Sequence, residues 1–218
     1  MDSCNIKIID RHQAGIMLAQ KLKTYHRENS VIVAVSKGGV IVGQPIANAL
    51  HVPMEVVPCK RINHPADETK TIGAVCLNNV IVYSHAHDLP QDYIQHKVHT
   101  LRHDLDREMA YYNENWDSIP MEGSNVILVD DLMITGNTMM ACILELRKRK
   151  PHSIVVATPF TSAEAHFFLE EFADDIVYCR METQINSPLD FYETFSPVSR
   201  REVKDILKHS KRRQLDLY

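Results

Sequence analysis

Short β-branched and aliphatic runs alternate along the chain with segments of helical spacing. Residues 31–35 and 126–129 are apolar without a break, the pattern of strands buried on both faces, and 54–58, 153–158 and 175–179 are mostly apolar and read as further strands. Between them, Ala14, Leu18 and Leu22 predict a helix over residues 10–26 with Asp10 as its cap. Further helices are expected from residue 40 through Leu50, over 90–112, over 138–149 before Pro151, over 162–172, and over 199–209. Ser199 and Glu202 fit a capping box at the start of the last of these. Residues 71–83 predict a hairpin turning at Asn78 and Asn79, whereas 62–70, polar and containing Pro65, predict an irregular loop. Strands separated by helices imply an α/β fold, a parallel twisted sheet flanked by helices on both faces. Ligands of such sheets bind beyond the carboxyl ends of the strands.

Two strand ends carry candidate chemistry. Residues 125–129 lead into Asp130 and Asp131, then Leu132, Met133 and Ile134, then Thr135, Gly136, Asn137 and Thr138 before a helical segment. Unpaired N–H groups at a helix N-terminus hold phosphate well. Adjacent carboxylates repel, and ribose hydroxyls or a metal bound through water would give them a purpose. The simpler reading of the loop alone is a plain N-cap at Thr135 or Asn137. The second strand end, residues 31–35, runs into Ser36, Lys37, Gly38 and Gly39. With seven glycines in 218 residues, two adjacent ones at a strand end matter, because glycine lets an anion approach the main chain. A tight strand-to-helix turn is the alternative. Lys60 and Arg61 follow the next strand, where a guanidinium could pair with phosphate, although an exposed basic loop reads equally well.

Composition narrows the class. With 44% hydrophobic and 24% charged residues a full core is available, and a net charge of −4 gives no general attraction to nucleic acid or anionic membrane. The basic run 208–213 reads as a solvated helix end. Cys4, Cys59, Cys76, Cys142 and Cys179 have no close spacing and read as reduced core residues, not a disulfide or zinc framework. His99 and His103 stand four apart on a helix, with His96, His85 and His87 nearby, which reads as a solvated histidine-rich face before a metal site. No signal peptide or spanning segment is visible, so a cytoplasmic protein without a membrane partner is expected. The nucleotide triphosphatase, dinucleotide-binding and serine-hydrolase glycine motifs are absent.

The stretch 125–140 resembles the PRPP-binding motif of type I phosphoribosyltransferases: apolar residues, two acids, three mostly apolar residues, then Thr-Gly-x-Thr. The likeness covers nearly the whole chain and is nearest to bacterial-type predicted phosphoribosyltransferases. It includes Asp10-Arg11 through Leu18-Ala19, Lys60-Arg61 with Ile72 to Val75, and Phe191 to Ser199. It implies a single domain over residues 1–218 with a hood near 181–198. It also implies Mg²⁺-dependent transfer of phosphoribosyl from PRPP to a nucleobase-like acceptor, of the kind used in nucleotide salvage, by a homodimer that does not engage nucleic acid. Asp130 and Asp131 would then bind the ribose hydroxyls and, indirectly, the metal. Thr135, Gly136, Asn137 and Thr138 would wrap the 5′-phosphate. Ser36, Lys37, Gly38, Gly39 and Arg61 would hold pyrophosphate, and Asp130, Asp131 and Lys37 would carry catalysis. Ile134, Phe191 and Tyr192 would meet the base, with packing as the alternative role for the two aromatics.

Two positions depart from the family pattern. Ile134 replaces the acid that hypoxanthine and guanine enzymes place before Thr-Gly, which leaves the base and the general base unassigned. Leu132 stands where many members have glycine. The alternative is a regulatory protein on the same fold that senses PRPP or nucleotide without turnover.

Overall fold

Every residue of the segment 30–35 is buried, which requires a strand covered on both faces. The computed structural model describes residues 7–25, 29–82, 89–112, 118–185 and 187–215. In chain order the elements are α1 (Arg11–Lys21), β1 (Ser30–Val35), α2 (Ser36–Leu50), β2 (Met54–Val57), β3 (Cys59–His64), β4 (Asp67–Cys76) and β5 (Asn79–Val82). They continue as α3 (Gln91–Tyr112), β6 (Asn125–Val129), α4 (Asn137–Arg147), β7 (Ser153–Ser162), α5 (Ala163–Leu169), β8 (Asp175–Glu182) and α6 (Arg200–Leu215). Cys4, His85 and His87 lie outside the described residues.

Five strands form a parallel sheet in the order β2-β1-β6-β7-β8. Alternate residues of each strand serve opposite cores. Ile32, Ala34, Ile127 and Val129 face Leu18 and Leu22, Ile46 of α2, and Val203 and Leu207 of α6. Val31, Val33, Val126 and Leu128 face Ile143 and Leu146 of α4. At roughly 1.5–3 kcal/mol for each large aliphatic side chain buried, these two layers dominate the fold. The third layer is weaker. The 22-residue α3 buries Leu105, Glu108 and Tyr112, against eight buried residues in the 15-residue α2.

The separate antiparallel sheet β3-β4-β5 corrects the expectation of an irregular loop over 62–70. Its inner positions, Ile62, Ile72 and Val75 against Leu105, are spread thinly through a polar segment, and Pro65 sits in the turn between strands. The hairpin across 77–78 follows the predicted pattern. β7 and β8 run past their predicted ends because Phe160, Thr161 and Ser162 pair with Arg180, Met181 and Glu182. Asp10 caps α1 by accepting from Gln13 N at 2.8 Å, and Ser199 Oγ accepts from Glu202 N at 3.1 Å, both as the sequence predicts. His96, His99 and His103 are exposed and join no ligand cluster among the described residues. No helix among the described residues is long and apolar enough to cross a membrane.

One charged pair is built into the fold. Glu55 on β2, 4% exposed, accepts from Arg149 Nη1 at 2.6 Å and from the Ile119 amide at 2.8 Å. Arg149 also donates to the Ile119 carbonyl at 2.5 Å, stapling the loop after α4 to β2 and to the segment entering β6.

Candidate active site

The chain leaves β1 toward β2 in one direction and β6 toward β7 in the other, so the winding reverses between β1 and β6. Open parallel sheets place ligands at such a reversal. Because Ala34 pairs with Val129, the segments that begin at Ser36 and Asp130 leave the sheet side by side. α2 starts directly at Ser36 and α4 at Asn137, and neither has a side-chain N-cap bond. Both helix ends thus retain unpaired N–H groups and a positive dipole end at one crevice. The plain N-cap at Thr135 or Asn137 is not what forms. Gly136 takes the cap position at φ 73°, a left-handed conformation open to glycine, with Leu169 and Phe168 each 3.1 Å from where a Cβ would stand. Ser36 also has a positive φ, 52°, a conformation costly for a side-chain-bearing residue. Its hydroxyl donates to Cys59 O at 3.0 Å and accepts from Cys59 N at 3.3 Å, which pins the first loop to the start of β3.

The two acids have different surroundings. Asp131 Oδ2 accepts from Arg11 Nε at 2.6 Å, and Arg11 donates further to Ser196 O at 2.8 Å with its guanidinium 3.6 Å above the Phe195 ring. The Tyr192 hydroxyl donates to the Asp131 carbonyl at 2.8 Å, and burial followed by the Asp131 charge pushes that phenol up, keeping its proton in place. Asp130 has no Arg11-like partner among the described residues; its Oδ1 accepts the Asp131 amide at 2.9 Å. Loss of solvation first, and the Asp131 charge second, hold its carboxyl well above the usual carboxylate range. Arg61 opposes that shift, so its charge reaches Asp130 although the side chain is exposed.

Gly38 joins the two loops, for a Cβ there would overlap the Asp131 carboxylate. A Cβ on Gly39 would instead overlap the Val129 carbonyl. The two substitutions should therefore separate. Gly38→Ala displaces a side chain and is expected to weaken binding of a phosphate-bearing ligand in the crevice at least about tenfold, with Tm shifted by no more than ~4 °C. Gly39→Ala drives into backbone and is expected to lower Tm by at least twice as much. Equal melts for both, read by calorimetry beside a binding titration, would remove this distinction.

Lys37 makes no hydrogen bond or ion pair among the described residues, and Thr135 is exposed beside half-buried Asn137 and Thr138. Ile134 is 36% exposed between the acids and the second loop. Phe191 and Tyr192 are a correction to the aromatic base platform. Both are buried with Phe160, at ring-centre distances of 4.8 and 5.2 Å, so packing claims the surfaces a base would need. Residues 181–198 hold a 3₁₀ turn (Pro188–Asp190) and the end of β8, while the small second sheet comes from residues 59–82. Arg11 was missed as a site residue. Its one sequence signal was its place in the Asp10-Arg11 stretch, which says nothing of a partner 120 positions away.

Fold and crevice define a parallel α/β protein with two strand-to-helix loops flanking paired acids, the form of type I phosphoribosyltransferases. The chain belongs to the phosphoribosyl transferase domain family, whose family model matches residues 6–187. Mycobacterium tuberculosis proteins named "Putative phosphoribosyl transferase" are 25% identical over 210 residues, covering 93% of this chain and 47% of theirs. This chain spans about half the length of those relatives. The crystal structure of TT1426 from Thermus thermophilus matches with a TM-score of 0.77 at 26% identity, over 94% of this chain and 99% of that one. AQ2163 from Aquifex aeolicus, at a TM-score of 0.51 and 14% identity over 84% of this chain and 82% of that one, shares the fold.

Proposed function

We propose that the chain transfers the 5-phosphoribosyl group of PRPP to a ring nitrogen of a nitrogenous base. The bond from the anomeric carbon to pyrophosphate breaks with its electron pair leaving on pyrophosphate, a carbon–nitrogen bond forms, and the base loses its proton. The observation that carries this reading is the pair of uncapped helix ends, at Ser36 and Asn137, on either side of Asp130 and Asp131. A ligand with a phosphate at one end, a pyrophosphate at the other and a diol between them matches that order.

In this reading the amides and hydroxyls of Thr135, Gly136, Asn137 and Thr138 hold the 5′-phosphate. Ser36 to Gly39 cradle the pyrophosphate, with the Lys37 ammonium and Arg61 guanidinium balancing the charge that grows on it as it leaves. Asp130 and Asp131 orient the ribose hydroxyls and place negative charge beside the cationic sugar. Asp130 would suit Mg²⁺, because its carboxylate is a hard oxygen donor whose ionised form needs a compensating charge. Bound there, the ion would supply charge neutralisation to the leaving group. Catalysis is then chiefly positioning and electrostatic stabilisation. Ile134 offers the base an apolar contact.

The test is pyrophosphate release from PRPP and Mg²⁺ across purines, pyrimidines and related heterocycles. Lys37→Ala is expected to lower kcat at least about hundredfold with the melt unchanged. Unimpaired turnover in that variant contradicts the placement of the pyrophosphate.

The second reading, a PRPP- or nucleotide-sensing protein, draws on two observations: Asp131 is already engaged by Arg11, and position 134 carries no acid. PRPP binding without pyrophosphate release for any base tested would favour it.

A further inference from the structure

Behind the crevice lies a second gathering of reactive side chains, and the reaction above makes no use of it. Cys59 opens β3, Cys76 closes β4 and Cys142 lies in the second turn of α4, yet their Sγ atoms all lie within 4.8 Å of one another. Cys59 and Cys76 are direct partners in the antiparallel register, which puts both side chains on one face of the hairpin, and α4 brings the third sulfur down onto that face. Cys76 and Cys142 are fully buried and Cys59 half-buried; all three are free thiols. Their wider surroundings are aliphatic, the core shared by Val57, Ala74, Ala141 and Ile143.

One buried cysteine is ordinary, because the residue packs as a small hydrophobe. Three from three separate elements, sulfur turned toward sulfur, make a donor set.

We propose that Cys59, Cys76 and Cys142 form a three-thiolate site for a single thiophilic d¹⁰ metal ion, zinc(II) or copper(I). Thiolates select these soft or borderline ions over the hard, oxygen-seeking Mg²⁺, so this site is chemically distinct from the acids of the crevice. Zinc–sulfur bonds of about 2.3 Å place tetrahedral sulfurs about 3.8 Å apart, within reach of the observed spacing by rotamer adjustment. Zinc would take its fourth ligand from solvent on the Cys59 side; copper(I) is satisfied by three. Either ion would tie the β3–β4 hairpin to α4, and through the Ser36–Cys59 hydrogen bonds to the first anion loop. Closing a loop that long by metal adds stability as well as rigidity.

The experiment uses the full chain, reduced and stripped of metal without oxygen. Zinc(II) and copper(I) are titrated separately against a chromophoric chelator, and cobalt(II) serves as a reporter of thiolate ligation. The expected result is one ion per chain, a sulfur-to-cobalt charge-transfer band, and a higher Tm with metal bound. Three thiols should become unreactive toward a thiol reagent on loading. The arm that binds tightly identifies the ion. Cys76→Ser and Cys142→Ser are each expected to weaken binding by at least about hundredfold, beyond the loss typical of an outer-shell change. Cys179→Ser and the double variant His99→Ala/His103→Ala should bind as the parent does. A wild-type chain that takes up neither ion overturns the proposal outright, even if a cysteine variant fails to fold. So does uptake that survives Cys142→Ser or vanishes with the two histidines. Loss of two reactive thiols as a disulfide in the reduced, metal-loaded sample would also overturn it.

Discussion

Asp131→Asn should reduce phosphoribosyl transfer by a factor of about 10²–10³ or more while leaving the protein folded. The substitution keeps the size and one acceptor of the side chain but removes the charge that the proposed reaction sets beside the sugar cation. Electrostatic stabilisation of developing charge in a partly dry crevice is worth about 3–4 kcal/mol, and that sets the expected loss in kcat. The structural cost is smaller. Arg11 loses its ion pair but keeps the Ser196 carbonyl and the Phe195 ring, and the Tyr192 hydroxyl bonds to backbone at position 131, which the substitution leaves intact. A melt within ~5 °C of the parent is therefore expected. A variant retaining a tenth of parental turnover would show that the acid is structural, held for Arg11 and not for ribose.

The largest stability effect is expected far from the crevice. Arg149→Met removes the partner of Glu55, a carboxylate 4% exposed on the β2 edge strand. The Ile119 amide still donates to it, but one amide does not offset the burial of a full charge. Breaking a buried pair in this way costs about 3–5 kcal/mol, which for a chain of this size corresponds to a fall in Tm of roughly 10 °C. Urea denaturation gives the direct measure. The double variant Glu55→Gln/Arg149→Met should recover much of the loss, because no ionised group is then stranded. A single-variant loss below about 1 kcal/mol would mean that the Glu55 carboxylate reaches water.

The β-branched runs at 31–35 and 125–129, each buried at nearly every position, were legible because a parallel strand covered on both faces has no other composition to use. The strand-to-helix turns at 36–39 and 135–138 were legible for a related reason: a turn that leaves its amides free needs glycine and polar residues. The hairpin at 59–76 was not. Its two faces differ in only a few apolar residues, and Pro65 marked a loop where there is a turn between strands. Arg149, within a Lys-Arg-Lys run that reads as the basic end of a helix, is instead half of a buried pair, because only the tertiary fold brings Glu55 to it. The three clustered cysteines were invisible for the same reason. The aromatics at 191 and 192 show the reverse error, a plausible stacking surface that the core had already taken.

The Arg11–Asp131 contact has a consequence for the order in which the protein is made. Arg11 leaves the ribosome first, its acid 120 residues later, and the Ser196 carbonyl 185 residues after Arg11. The bridge between Ile8 and Tyr192 spans a similar distance. At about 5–20 residues per second, the first anion loop exists for several seconds before the second emerges beside it, and the clamp closes later still. Nascent chains stalled with residue 162 just clear of the exit tunnel should hold β1, β6 and β7 in register, yet leave Asp131 without the Phe195–Arg11 clasp. The crevice is assembled before its clasp can close.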